Sequence, residues 1–528
     1  MTSVASGDAD VAVTHHDLAT RVALEVMSNG GNAVDGAIAA NAVGSVVLPT
    51  ACGPGGDLFA LVHLPGEPEP HVLNSSGRAG SGADAQRLRD DGHLEMPYRG
   101  PESVTVPGCV DGWEALGERF GRLALGELLE PAIRLAMDGF PASSELARSL
   151  RAIGPLIASQ PSATHLYPEG RPPGIGQIIR RPDLGATLRE VAEAGRHAFY
   201  QGGVGKAITA ATSGRITPED LARSSAEWVE PLGLDVFERR AWTVPPNSQG
   251  YLTLAAAWLV EQLGPPKDFG DPAYLHCLVE AYRAVAWERD DLVSDPASAP
   301  LPPGELVSPE RLGPRLGMIT PEAAASWAQP SAAPPGTTYL CTIDRQGMGV
   351  SLIQSNYAGI GSGLSAGDTG VFLQNRGAGF NLISGHPNEL GAGKRPFHTL
   401  SPTLWIRNGR LELLLGTRGG HWQPQLLLQV ACHLLHLEET PAHAQELPRW
   451  TLESSGLEGP MLESPTLSVE DRMPEQVVDG LARRGHRVER VAAFQGGWGP
   501  LAMIAVDKDG RRTGAADPRI ETASAAAS

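Results

Sequence analysis

A threonine pair, Thr337-Thr338, follows directly on a glycine that ends a proline-rich stretch, QPSAAPPG at residues 329–336. A stretch of that composition is extended and exposed, and it is open to cutting by a protease or by the protein itself. The hydroxyl of Thr337 can attack the carbonyl before it, and the missing side chain of Gly336 leaves that carbonyl accessible. Cleavage there would free an α-amine on Thr337. The reference pKa of such an amine, about 7.7–8.0, is close to what a general base needs at neutral pH. A threonine activated by its own amino group is a competent nucleophile. Read alone, the same Gly-Thr pair also marks the plain head of a β-strand.

Other residue groups carry less chemistry. His433 and His436 lie in a leucine-rich helical stretch with no Cys or Asp set nearby, and with His443 they read as packing or surface positions; no metal site is expected. Gly361-Ser362-Gly363 lacks the spacing of a nucleophile elbow and reads as loop. Glu280 and the run Glu288-Arg289-Asp290-Asp291 have helical periodicity without an adjacent glycine turn, which predicts a solvated helix face. Five cysteines, at 52, 109, 277, 341 and 432, are odd in number, far apart and without a CxxC. They predict small buried residues rather than disulfides or a zinc finger.

The elements that must position Thr337 are visible as periodicity. Leu18, Val22 and Val26 mark one stripe of a helix that stops at Gly30-Gly31, and a second helix of small residues is predicted over 33–47. A glycine turn at 52–56 leads into a core strand at 58–64. Helical runs such as 129–137 fill the middle third, where Thr217-Pro218-Glu219-Asp220 makes a helix start. Beyond residue 336 the texture changes to hairpins: 339–343 with 350–355, 404–406 with 411–415 around Asn408-Gly409, and 501–506 with the turn at 508–510. The 411–415 strand runs into a glycine turn at 416–420 and then a helix over 423–435, a junction that exposes backbone N–H groups.

The 528 residues are 41% hydrophobic and 19% charged, the make-up of a globular chain with a large core. A net charge of -18 without a dense Lys/Arg cluster argues against nucleic acid as a partner. Residues 1–10 show no basic and apolar leader, and no apolar run has membrane-spanning length, so a cytoplasmic protein with no membrane partner is expected.

Seven segments, in this order, resemble the gamma-glutamyltranspeptidase family: GGNAVDGAIAANAV at 30–43, CGPGGDLFALV at 52–62, LNSSGRAG at 73–80, PGTTYLCTIDRQG at 335–347, GKRPFHTLSPT at 393–403, Gly419-Gly420, and GAADPR at 514–519. The resemblance implies an αββα sandwich of the N-terminal-nucleophile hydrolase type within the α/β class. It also implies self-cleavage between Gly336 and Thr337 into a large chain, 1–336, and a small chain, 337–528, that together form one composite domain. A dimer of that pair is left open. Carried over by position, Thr337 supplies the nucleophile and, through its amine, the base; Ser355 bonds the nucleophile; the N–H groups of Gly419 and Gly420 form an oxyanion hole; and Arg78 clamps a substrate carboxylate. No metal or organic cofactor is implied.

The sequence also departs from the family. Arg376 and Gly379 stand where the family has a Gln and an Asp for the α-amino group of a gamma-glutamyl donor, Tyr357 replaces an Asn, and His398-Thr399 replace paired serines. These changes spare the nucleophile and alter the pocket. SLIQSNYAGIGSG at 351–363 and QNRG at 374–377 are more similar to a branch that includes oxamate amidohydrolase and cephalosporin acylases. The reading is an amidohydrolase/acyltransferase that takes a small acid from an amide through an acyl-threonine. A gamma-glutamyl hydrolase or transferase acting on glutathione-like donors is the alternative within the class, with another carboxylate replacing the lost one. A relative that binds a ligand without turning it over is the alternative outside it.

Overall fold

In the computed structural model, described for residues 2–327, 336–453 and 465–528, two seven-stranded antiparallel sheets pack face to face between two helical layers, an αββα sandwich. The first sheet runs Ser524–Ala527, Val11–Thr14, Thr337–Ile343, Gly349–Ser355, Asp57–His63, His71–Ser75, Glu227–Val229. The second runs Ser3–Gly7, Arg512–Ala516, Leu501–Val506, Arg410–Thr417, Thr403–Arg407, Arg239–Thr243, Leu232–Val236. Each sheet therefore draws strands from both sides of the 336/337 peptide.

Strand periodicity explains the layering. Tyr339, Cys341 and Ile343 face the second sheet and pack with Phe59, Leu404, Leu414 and Ile504. Leu340 points the other way into the helical layer, and the Thr342 hydroxyl donates to the Ala33 carbonyl. A strand covered on both faces can be apolar on both, and all seven residues of Thr337–Ile343 are buried. The helix Ala33–Val47 is buried throughout, as its small residues predict, and a capping box between Asn32 and Asp35 starts it. All five cysteines are free and buried. Among the described residues, no helix is long and apolar enough to cross a membrane.

The expected hairpins are all present, with Asn408 and Gly409 both at positive φ in the turn between Thr403–Arg407 and Arg410–Thr417. The solvated face expected over residues 280–291 is not. Glu280 and Arg289 are fully buried, and Glu288 pairs with Arg311 and Arg315; Asp290 is half-buried, and Asp291 is exposed. The helix Pro272–Ala286 lies inside its layer, so its charges are paired rather than hydrated. His433 packs edge-on to Phe269, in keeping with a packing position.

Burial leaves an acid-sensitive core. His15, His398 and His433 are each held down to about 3, chiefly because the charged ring would lose its water. The unfolded chain, with imidazole near 6.5, binds protons that the folded chain refuses. Stability from this source is therefore complete above about pH 6.5 and falls towards pH 3, by up to roughly 1.4 kcal/mol per pH unit for each imidazole. Melting temperature is expected to drop between pH 7 and pH 5, and by less in His433→Leu. An equal drop in both proteins would show that His433 contributes nothing.

Candidate active site

Thr337 opens its strand opposite Ser355, the last residue of Gly349–Ser355. The two side chains leave the sheet on one face, and their hydroxyl oxygens are 3.0 Å apart. The next residue points to the other face, where the Thr338 hydroxyl meets Nδ1 of His15 at 3.3 Å. Register alone thus separates the two threonines.

Ser355 sits among three partners. Its hydroxyl donates to the Gly336 carbonyl at 2.6 Å and accepts from the Tyr357 backbone N–H at 2.8 Å. A hydroxyl has one hydrogen and two lone pairs. With its hydrogen on Gly336, Ser355 can meet Thr337 only as acceptor, so Thr337 donates. The Gly336 carbonyl, as acceptor, and the Thr337 hydroxyl, as donor, therefore share one Ser355 oxygen. Gly336 has no room for a side chain, since a Cβ there would lie 2.2 Å from the Gly359 nitrogen and 2.5 Å from the Tyr357 carbonyl oxygen.

Tyr357 holds a φ of 74°, a strained conformation for a large residue. Its ring lies 4.1 Å beneath the Arg376 guanidinium. Arg376 is fully buried, and Nη1 donates to the Thr399 hydroxyl at 3.1 Å. Its Nε and Nη2 meet no acceptor among the described residues. Burial lowers its pKa to about 10, which still leaves it cationic at neutral pH. A buried guanidinium with two open donors is built to receive an anionic oxygen. His398 beside Thr399 takes another part: its Nε2 donates to Asp57 at 3.2 Å, and its ring lies edge-on to Phe59. Asp57 is held further by the Gly77 N–H and by Gln374.

The strand Arg410–Thr417 carries the glycine turn to this end of the sandwich, with Gly416 so close to Tyr339 that a Cβ would lie 2.1 Å from its ring. Gly419 and Gly420 have φ of 136° and 56°, and their N–H groups meet no acceptor among the described residues. The turn is held from behind by Gln249, whose Nε2 donates to the carbonyls of Gly420 and Thr399, both at 3.1 Å. Its Oε1 accepts from the buried Arg289, which also reaches Nδ1 of His421 at 2.8 Å. His421 stacks on Phe397 and stays neutral, because burial and the two arginines Arg289 and Arg376 push its pKa far down.

Gln249, Arg289, His421, Asp57 and His15 were not expected from the sequence. Asp57 lies inside the 52–62 segment and His421 directly follows the 416–420 turn, but neither was given a role, and Arg289 was assigned to a solvated helix face. Arg78 takes a different place from Arg376. Its guanidinium, 38% exposed in side chain, pairs with Glu227 at 2.8 Å and Asp295 at 3.2 Å and also donates to the Gly393 carbonyl. Gly379, at the position of the missing acid, packs against the Phe397 carbonyl. The expected linker over 329–335 lies outside the described residues.

The chain is similar to known proteins along nearly its whole length. Residues 19–527 match the family model described as Gamma-glutamyltranspeptidase. A glutathione hydrolase-like YwrD proenzyme of Bacillus subtilis is 35% identical over 97% of each chain. An oxamate amidohydrolase proenzyme of Klebsiella pneumoniae is 33% identical over 98% of each. Among solved structures, a cephalosporin acylase from Bacillus halodurans superposes with a TM-score of 0.92 at 32% identity, covering 99% of this chain and 97% of its own.

The role of Gln249 can be measured without any substrate. Gln249→Leu removes one donor from each of two buried carbonyls, which keep the Gln423 N–H and the Ser401 hydroxyl, and one acceptor from Arg289, and an expected loss of roughly 2 kcal/mol in denaturant unfolding follows. A loss below about 0.5 kcal/mol would show that the turn is held by other contacts.

Proposed function

Because the chain belongs to the gamma-glutamyltranspeptidase family, we propose that it cuts itself between Gly336 and Thr337 and then uses Thr337 to hydrolyse, or transfer from, amides of small acids. The observation that supports this most directly is the chain of hydrogen bonds from Thr337 through Ser355 to the Gly336 carbonyl.

In the uncut chain the Thr337 oxygen attacks the Gly336 carbonyl carbon. A C–O bond forms, the C–N bond breaks, and the hydroxyl proton ends on the nitrogen that becomes the amine. Water then splits the ester, leaving the Gly336 carboxylate and a free Thr337. The two chains stay interleaved, because neither sheet is complete without both. With Gly336 gone from Ser355, that position is open to a substrate carbonyl.

The same oxygen then takes the acyl group from an amide, with the Thr337 amine receiving its proton and passing it to the leaving amine. The N–H groups of Gly419 and Gly420 stabilise the oxyanion, each worth roughly 3 kcal/mol of barrier. Water or an amine releases the acid. Arg376 gives the acyl pocket its character: its open Nε and Nη2 suit a second acidic group on the acyl chain, and Gly379 provides no carboxylate for an α-amine. Arg78 would have to give up Glu227 or Asp295 to take that part. The reading therefore favours acids of the oxamate or glutaryl kind over gamma-glutamyl donors.

Intact mass and N-terminal sequencing test the first step. A terminus at Thr337 is expected, with Thr337→Ala uncut and inactive and Thr338→Ala still processed; the reverse pattern would overturn the assignment. Activity on glutaryl and oxamate amides is expected to exceed that on a gamma-glutamyl anilide. Arg376→Leu should lower kcat/KM on the acidic amides by about 10- to 100-fold, and faster gamma-glutamyl turnover would return the reading to glutathione-like donors. The amine acts deprotonated, so kcat/KM should rise with pH through one ionisation near or below about 8 and then level off.

A further inference from the structure

A second cluster of reactive side chains lies in the helical layer over the second sheet and takes no part in the chemistry above. His276 and Glu280 sit one turn apart on the buried helix Pro272–Ala286, and His486 directly precedes the strand Arg487–Val491. A ligand atom from each of the three lies within 4.8 Å of the others. Nδ1 of His276 and Nε2 of His486 are 2.8 Å apart.

The tautomer of His276 follows from its other nitrogen. Nε2 lies 2.8 Å from the Thr320 carbonyl, which can only accept, so Nε2 carries the hydrogen and Nδ1 keeps its lone pair. A backbone carbonyl on the far nitrogen is the support that metal-ligating imidazoles have. Glu280 accepts from Arg283 on one oxygen and from the Ala325 N–H and Trp327 indole on the other, which among the described residues leaves one of its four lone-pair directions open. A cavity of about 140 Å³, lined in part by His486, Arg283 and Ala325, borders the cluster at His486.

We propose that His276, Glu280 and His486 form a binding site for a divalent transition ion of the zinc type, tying the segment before Thr337 to the segment after it. Two imidazole nitrogens and one carboxylate oxygen leave the fourth tetrahedral position to water. Bonds of about 2.0–2.1 Å at tetrahedral angles separate ligand atoms by about 3.3 Å, so the two rings open slightly from their present contact. The hydrogen between them moves to Nδ1 of His486, and both rings bind neutral with no net proton released. Arg283 and Arg484 stand near the two rings. The same arginines disfavour a bare cation, and Glu280 offsets only Arg283. The site therefore suits ions that prefer imidazole, such as Zn²⁺, Ni²⁺ or Co²⁺, over Mg²⁺ or Ca²⁺.

The test uses the full chain, cleared of metal with a chelator, loaded with Zn²⁺ and assayed by elemental analysis. One retained zinc per chain is expected, with affinity at least tenfold lower in His486→Ala and in Glu280→Gln. Zinc should raise the melting temperature of the unaltered protein by about 3 °C or more and leave His486→Ala unmoved. Co²⁺ should give the visible absorption of a four-coordinate site in the same protein only. Folded protein that retains no zinc, or equal retention in His486→Ala, would overturn the proposal. His486 lies at the cavity edge, so its variant decides the matter even where one in the buried helix fails to fold. None of these readouts depends on cleavage at Thr337 or on turnover.

Discussion

One hydroxyl group, that of Ser355, sets the terms for the rest of the site. It has a single hydrogen, and the Gly336 carbonyl takes it. The Thr337 hydroxyl and the Tyr357 N–H must then both donate to the same oxygen. This arrangement requires Thr337 and Ser355 to be paired across two central strands, the chain to turn back sharply at Tyr357, and residue 336 to lack a side chain. Each requirement is met at some cost: a positive φ at a tyrosine, a glycine with no space beside it, and a threonine hydroxyl that is buried.

The sandwich supplies the rigidity that such an arrangement needs. Strands Thr337–Ile343 and Gly349–Ser355 lie in the interior of their sheet and are buried on both faces, so the register that opposes Thr337 to Ser355 cannot slip without exposing or misplacing every side chain on them. The second sheet brings the glycine turn to the same end, and Gln249 links its carbonyl to Thr399, which in turn holds Arg376. The turn and the buried cation are therefore one connected structure. The cation is the unusual part. A fully buried guanidinium with two unused donors is costly to keep, which is reasonable where a ligand completes it.

Much of this was legible in the chain. The hairpins, the small-residue helix, the glycine turn before a helix and the Thr337 junction all follow from local periodicity and turn chemistry, and the ordered motifs of the gamma-glutamyltranspeptidase family added the layered fold. Arg376 and the absence of an acid at Gly379 could be read as a changed pocket from two positions. Glu280 and Arg289 were misread because helical spacing says which residues share a face but not whether that face meets water or another helix.

What the sequence by itself determined, then, is whatever depends on neighbours along the chain: strand and helix placement, and the glycine at 336 beside the Thr337-Thr338 pair. Only the tertiary structure decided which distant groups share a hydrogen. That Thr338 turns to His15, that Arg78 is already paired with Glu227 and Asp295 while two Arg376 nitrogens meet no acceptor among the described residues, and that His276 lies against His486 are all matters of a few ångströms between remote segments. Hydrogen bonds and ion pairs are short-ranged and directional, so they are settled only when packing has fixed both partners, and no local pattern records them in advance.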